Sequence, residues 1–166
     1  RKQMKRYKLI GIMLIFLLFV SLPAGGQEKK VVITEVKAQE LAGNIFISIQ
    51  GEIQAEGEGS VFLQAFTTYE DQDYFTAPQE IKYALSQEGF SLSLSGEDFQ
   101  LIDLRENKME KLPQLAEGQN VVIYVYEKKI TSPEGQTEEV KKDIEKVGYA
   151  LRGILAKATL TLSLKE

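Results

Sequence analysis

Apolar residues recur at every second position in one short run after another, and this period of two dictates the kind of backbone the chain can adopt. The plainest case is Gly89–Arg105, GFSLSLSGEDFQLIDLR. Phe90, Leu92 and Leu94 alternate with Ser91, Ser93 and Ser95, and Gly96-Glu97-Asp98 interrupts the run. Phe99 and Leu101 then share a face with Asp103, while Gln100, Ile102 and Leu104 take the other. Successive side chains of a strand point to opposite faces, so strict alternation marks a strand with one face buried and one wet. The stretch reads as a hairpin of two short strands joined by a tight turn.

The same reading extends along the chain. Val31–Ala38 is rich in β-branched residues, and Asn44–Ile53 sets Ile45, Ile47 and Ile49 on one face. Gln39–Asn44 between them is a turn, and the glycines of Ala55–Gly59 end the second strand. Ser60–Tyr69 carries apolar groups on both faces, as a central strand does. Glu80–Ser86 follows the break at Pro78. Asn120–Ile130 opposes Val121, Ile123 and Val125 to Val122, Tyr124 and Tyr126, and Ile154–Leu164 closes the series. Residues 105–119 form a polar connector. Thr137–Val147 fits two readings. Val140, Ile144, Val147 and Leu151 fall at helical spacing with Thr137 as a cap, but the segment also fits the return strand of a charged hairpin with residues 120–131. Seven to eight short strands with turn signals between them predict an all-β, antiparallel β-sandwich, Ig-like in its pattern.

The N-terminus speaks to compartment. Arg1, Lys2, Lys5, Arg6 and Lys8 precede the apolar run Leu9–Val20, and Ala24-Gly25-Gly26 supplies small residues for cleavage before Gln27. Charged start, short apolar core and small-residue site predict a signal peptide over 1–26, leaving one sandwich domain over 27–166. The alternative is an uncleaved anchor, and the protein's only contact with a membrane would then run through this segment. Either way the expected location is secreted or extracytoplasmic, at the cell envelope. Cleavage removes five of the 20 basic residues and none of the 24 acidic ones. An acidic remainder argues against nucleic acid, whose binding rests on neutralising phosphates.

Cys and His are both absent. That excludes thiol and imidazole nucleophile–base pairs within the chain and His-ligated zinc. Trp is absent too, which leaves Tyr and Phe as the rings able to stack on a ligand.

Residues from about 49 to 125 resemble the transthyretin-like, carboxypeptidase-regulatory type of β-sandwich domain. The residues carrying the resemblance are Ile49-Gln50-Gly51-Glu52-Ile53, the strand Val61–Ala65, the Gly89-Phe90-x-Leu92-x-Leu94 strand and Phe99-Gln100-Leu101. The chain departs from the pattern where such domains carry Tyr, here Phe99, and has Arg105–Lys108 in place of an Asp-x-Asn-Gly loop. The resemblance implies a non-catalytic accessory or assembly domain of an exported protein. It carries over no active-site residue.

Candidate sites follow from the loops. Glu70, Asp71 and Asp73 cluster as carboxylates able to hold Ca²⁺, although they lack the spacing of an EF-hand, and no other cofactor is expected. Asp103, Glu106 and Glu110 form a second acidic set, read as a polar connector. Tyr69, Tyr74 and Phe75 flank the first cluster as candidate partner contacts. Ile130, Val140 and Ile144 would be the apolar contacts of a charged arm docking on a second protein. Together these predict a non-enzymatic module that binds or assembles with a protein partner at the envelope. A carbohydrate- or calcium-binding accessory module is the alternative.

Overall fold

The computed structural model describes residues 28–103 and 108–163. The expected signal peptide and Glu106 lie outside the described residues. Among the described residues ten strands follow one another: β1 (Lys30–Leu41), β2 (Asn44–Gln54), β3 (Gly59–Tyr69), β4 (Gln72–Thr76), β5 (Gln79–Tyr83), β6 (Gln87–Ser95), β7 (Phe99–Asp103), β8 (Lys108–Lys111), β9 (Asn120–Ile130) and β10 (Ala150–Thr161). A helix, α1 (Glu138–Val147), links the last two. A three-stranded sheet has the order β1-β2-β6. A seven-stranded sheet has the order β10-β9-β3-β4-β7-β8, with β5 also on β3. Every pairing is antiparallel, so the molecule is the expected β-sandwich.

The core lies between the two sheets. Ile47, Ile49, Ile53 and Leu94 come from the smaller sheet. Val61, Leu63, Ala65, Phe99, Val121, Ile123 and Val125 come from the larger. All eleven are almost fully buried, and burying side chains of the size of Val, Ile, Leu or Phe contributes about 1.5–3 kcal/mol each.

Three local readings change. The stretch 89–105 is not a hairpin: β6 pairs with β2 in one sheet, and β7 pairs with β4 and β8 in the other. A 3₁₀ turn at Gly96–Asp98 carries the chain across, held by the Ser95 N–H donating to Asp98 Oδ2 at 2.7 Å. Crossing lets Leu94 and Phe99 enter the same core from opposite sides. The acidic stretch after Tyr69 contains a further strand, β4, and the polar connector contains β8. The ambiguous segment is a helix. Thr137 caps it by accepting from the Val140 N–H, and Gly148, in the left-handed conformation at φ 85°, ends it.

β4 and β5 lie along the same side of β3 as one strand interrupted at Ala77-Pro78. Proline has no N–H to give the ladder. Thr76, fully buried, repairs the gap. Its Oγ1 accepts from the Ala65 N–H at 3.0 Å, and its carbonyl accepts from Gln64 Nε2 at 2.8 Å.

Two cross-strand pairs place an aromatic ring over a glycine, Phe90 on Gly51 and Tyr83 on Gly59. A Cβ at Gly51 would run into the Phe90 ring and come within 2.6 Å of the Val32 carbonyl oxygen. Gly51→Ala is therefore expected to destabilise the fold by about 1–3 kcal/mol in urea denaturation. Adding Phe90→Leu should recover only part of the loss, because the backbone oxygen cannot swing away. Full recovery would place the whole conflict on the ring.

Candidate functional site

On β3 and β9 the residues of one parity fill the core, and those of the other parity face outward. Cross-strand partners share a face, so the register places Phe62 beside Tyr126, Gln64 beside Tyr124, and Phe66 between Val122 and Phe75. The result is a continuous row of four half-buried rings. Centroids are 6.4 Å apart from Phe75 to Phe66, 5.8 Å from Phe66 to Tyr124 and 5.9 Å from Tyr124 to Tyr126. These are ordinary contact distances for aromatic pairs.

Helix α1 makes the row into a groove. Val140 is buried on the face it turns to the protein, as are Ala150 and Leu151 just beyond the helix. Asp143 Oδ2 accepts from Arg152 Nη2 at 2.7 Å. Asp143, Lys146 and Val147 form one wall with Tyr149; Gln72, Asp73 and Phe75 lie at the other end. The groove is open and encloses about 1090 Å³.

Gln64 joins floor to wall. It is 5% exposed, and its Nε2 donates both to the Thr76 carbonyl and to Tyr149 Oη at 2.8 Å. Both amide hydrogens are thereby used. Tyr149 Oη acts as an acceptor, so its own hydrogen remains available. Burial raises the Tyr149 pKa, and the Gln64 hydrogen bond offsets part of the rise. Burial likewise raises that of Tyr126, with Tyr124 and Tyr149 adding to the effect and Arg152 opposing it. Both hydroxyls are neutral donors near neutral pH. Lys157 Nζ lies 5.6 Å from the centre of the Tyr124 ring, and Lys129 Nζ lies 5.4 Å from that of Tyr149.

The groove unites two sets of residues that the sequence left apart. Phe75 and Asp73 come from the first acidic stretch, and the helical arm supplies the wall. The other expected contacts sit elsewhere. Tyr74 is 5% exposed and belongs to the core, which removes it from any partner surface, and Tyr69 packs edge-on against it at 6.4 Å. Val140 is 7% exposed beneath the helix, so it is not a free contact of a projecting arm. Ile144 and Ile130 are half-buried, Ile130 opposite Ala150. Phe66, Tyr124, Tyr126, Tyr149 and Gln64 were not foreseen as a site. Their signal was the pair of runs, 61–66 and 121–126, that are apolar on both faces.

Glu70 and Asp71 are the two central residues of the β3–β4 hairpin, with φ of 49° and 61°. Positive φ at both positions is what a type I′ turn demands. Asp73 accepts from Thr68 Oγ1 at 2.9 Å. Among the described residues no three acidic side chains converge in a way that could hold a metal ion.

No family model matches the chain, and no curated protein matches it. Among solved structures it is similar to a β-glucosidase from Kluyveromyces marxianus, at 11% identity and a TM-score of 0.43, over 83% of this chain and 15% of that one. It is also similar to DesR, a β-glucosidase from Streptomyces venezuelae in complex with D-glucose, at 12% identity and a TM-score of 0.39, over 81% of this chain and 15% of that one. The chain thus spans about 15% of the length of either enzyme, and a likeness this distant assigns no activity.

Two outcomes are expected. Replacing Glu70-Asp71 with Asn-Gly should stabilise the protein by roughly 1 kcal/mol, raising Tm by a few degrees, because those residues adopt positive φ at little cost. An unchanged or lower Tm would mean that the two carboxylates serve the fold directly. The second concerns alkaline pH. Tyr74, Tyr126 and Tyr149 all have pKa values raised above the ordinary 10.0, chiefly by burial. The unfolded chain loses these protons first, so their contribution is fully present below pH 10.0 and is lost as pH rises through the folded-state values. Unfolding free energy against pH should fall more steeply above pH 10.0 in the wild type than in Tyr149→Phe. Equal slopes would contradict the burial of that hydroxyl.

Proposed function

We propose that this chain is an exported, non-enzymatic binding module that holds a component of the cell envelope in its aromatic groove. The observation that carries the reading is the row of four rings on the outer face of the seven-stranded sheet, laid down while the core is already complete on the inner face. Rings that the core does not need remain half-exposed at a cost in solvation, and apolar surface kept this way on a concave face suits a ligand. The outer face of the other sheet offers the contrast: Ser48 stands opposite Ser93 and Gln50 opposite Ser91, and the ring of Phe46 lies between Gln39 and Ser95 with no second ring beside it. Lack of His and Cys supports a binding role over catalysis, as does the transthyretin-like pattern of residues 49–125. The acidic balance of the chain supports an occupant other than nucleic acid.

A protein segment and a glycan are the two occupants that such a module serves at the envelope. The test measures retention of the tagged protein on a washed envelope fraction from the cells that make it. Tyr124→Ser, checked for folding by circular dichroism, should lower retention by roughly tenfold or more, as loss of a central aromatic contact does. Gln50→Lys on the opposite sheet should leave it unchanged. The reverse pattern would move the binding face to the three-stranded sheet and overturn the proposal.

A further inference from the structure

The groove also bears on what kind of ligand it accepts, an inference that rests on the binding-module reading. Its floor is built on β3 and β9, and both are interior strands. β3 is hydrogen-bonded to β9 on one side and to β4 and β5 on the other; β9 is hydrogen-bonded to β3 and β10. Their backbone groups are therefore already paired within the sheet. An extended peptide gains affinity at a sheet edge by adding main-chain hydrogen bonds. Here it would find none, and its own N–H and C=O groups would lie unpaired against aromatic rings.

An amphipathic helix satisfies its own backbone but meets a different difficulty. Among the described residues the Tyr149 hydroxyl hydrogen has no acceptor, and the Gln64 carboxamide retains an oxygen beside it. An apolar helix face would cover both and leave them unpaired, at a cost of about 1–3 kcal/mol per group. The site therefore calls for a ligand that is apolar across its faces and hydroxylated around its rim.

A pyranose ring has that distribution. Its axial C–H bonds present apolar faces to an aromatic ring, and its equatorial hydroxyls point outward to donors and acceptors at the edge. Four rings in series, with consecutive centroids 5.8–6.4 Å apart, extend well beyond a single sugar. Neighbouring rings are tilted by 39°, 79° and 37°, so the floor is faceted and suits a chain that turns from unit to unit. The rim sets Asp73 and Asp143 against Lys146, Lys129 and Lys157, with Asp143 already paired to Arg152, so both signs of charge are present and neither a polyanion nor a polycation meets a uniform field.

We propose that the groove binds a neutral, linear oligosaccharide, with sugar rings stacked on Phe75, Phe66, Tyr124 and Tyr126 and hydroxyls hydrogen-bonded to Tyr149 and Gln64. Tyr149 acts as the specificity-determining donor, and the row of rings supplies most of the affinity.

Affinity electrophoresis of the full chain tests this in native gels containing hydroxyethylcellulose, laminarin, xylan or galactomannan, with polygalacturonate as the charged control. At least one neutral polysaccharide should retard the wild type, and polygalacturonate should not. Tyr124→Ser should weaken retardation roughly tenfold or more, and Tyr149→Phe, which keeps the ring and removes the donor, by about three- to tenfold. Tyr149→Phe also guards against misfolding of the first variant, since it leaves the floor intact. If no neutral polysaccharide retards the protein while envelope retention still depends on Tyr124, the saccharide is overturned and the binding module stands with a protein occupant. If neither measurement depends on Tyr124, both readings fall. Retardation that survives both substitutions would place a glycan site elsewhere and overturn this one.

Discussion

Gln64 is the residue on which the remainder of the architecture converges. The seven-stranded sheet has a break beside its central strand, where Ala77-Pro78 separates β4 from β5 and the ladder loses its donor. A gap in the middle of a sheet leaves buried backbone groups without partners, each at a cost comparable to a lost hydrogen bond. Thr76 and Gln64 close it with side-chain atoms. The second Gln64 hydrogen then reaches Tyr149, more than eighty residues away in sequence, and ties the start of β10 to the outer face of the sheet. One carboxamide thus repairs the sheet and fixes a wall of the groove. A buried polar group of this kind stabilises only when fully partnered, which makes the position sensitive to any shorter or apolar replacement.

The two sheets divide the work unequally. Both give an apolar inner face to the core, but their outer faces differ in chemistry. Ser48, Gln50, Ser91 and Ser93, with Glu35 and Lys37 beside them, make most of the three-stranded sheet's outer face polar, and Phe46 stands there without a neighbouring ring. Aromatic residues cover the centre of the larger sheet, and α1 shields only part of them. Burial on the inner face accounts for the folded state, so the outer rings are not needed to hold the sheets together. In the proposed binding role they are the surface left for a ligand.

How far the sequence foretold this differs from element to element. Alternation identified β2, β3, β5, β6, β7, β9 and β10 and β-branched composition identified β1, while the two-faced run of Ser60–Tyr69 identified β3 as an interior strand. Alternation could not assign a strand to a sheet. Phe90–Ser95 and Phe99–Asp103 look like a hairpin because each has a buried face and the turn between them is short. What separates them is the 3₁₀ turn capped by Asp98, whose side-chain hydrogen bond leaves no trace in a two-residue period. β4 was hidden for the opposite reason. Glu70 and Asp71 read as loop residues, yet both take positive φ and bend the chain directly back on β3. The helix was ambiguous because Val140, Ile144 and Val147 suit either structure until the Thr137 cap and Gly148 end are seen together. The groove was harder still to read. Its residues come from five segments, and Tyr149 lay just beyond a helix whose existence was in doubt.

If the groove binds a ligand as proposed, the placement of the rings bears on how tightly it would do so. Association costs free energy when loops and side chains must be ordered, and rigid aromatic contacts reduce that cost. Phe66, Tyr124 and Tyr126 stand on interior strands hydrogen-bonded on both sides, so the backbone beneath them is already fixed. Phe75 pairs with Phe66 on one side and Gln100 on the other. Packing within the row restricts the rings further, since each lies against its neighbour. The wall is held differently. The Asp143–Arg152 pair is roughly 40% exposed and adds little by itself. Tyr149 is held by the buried Gln64 amide, a stronger constraint in a drier setting. A ligand entering the groove therefore meets a floor that needs no rearrangement and one hydroxyl already positioned at its edge. Loosening the wall should weaken binding less than removing a ring from the floor, because the floor carries the area and the wall carries the orientation.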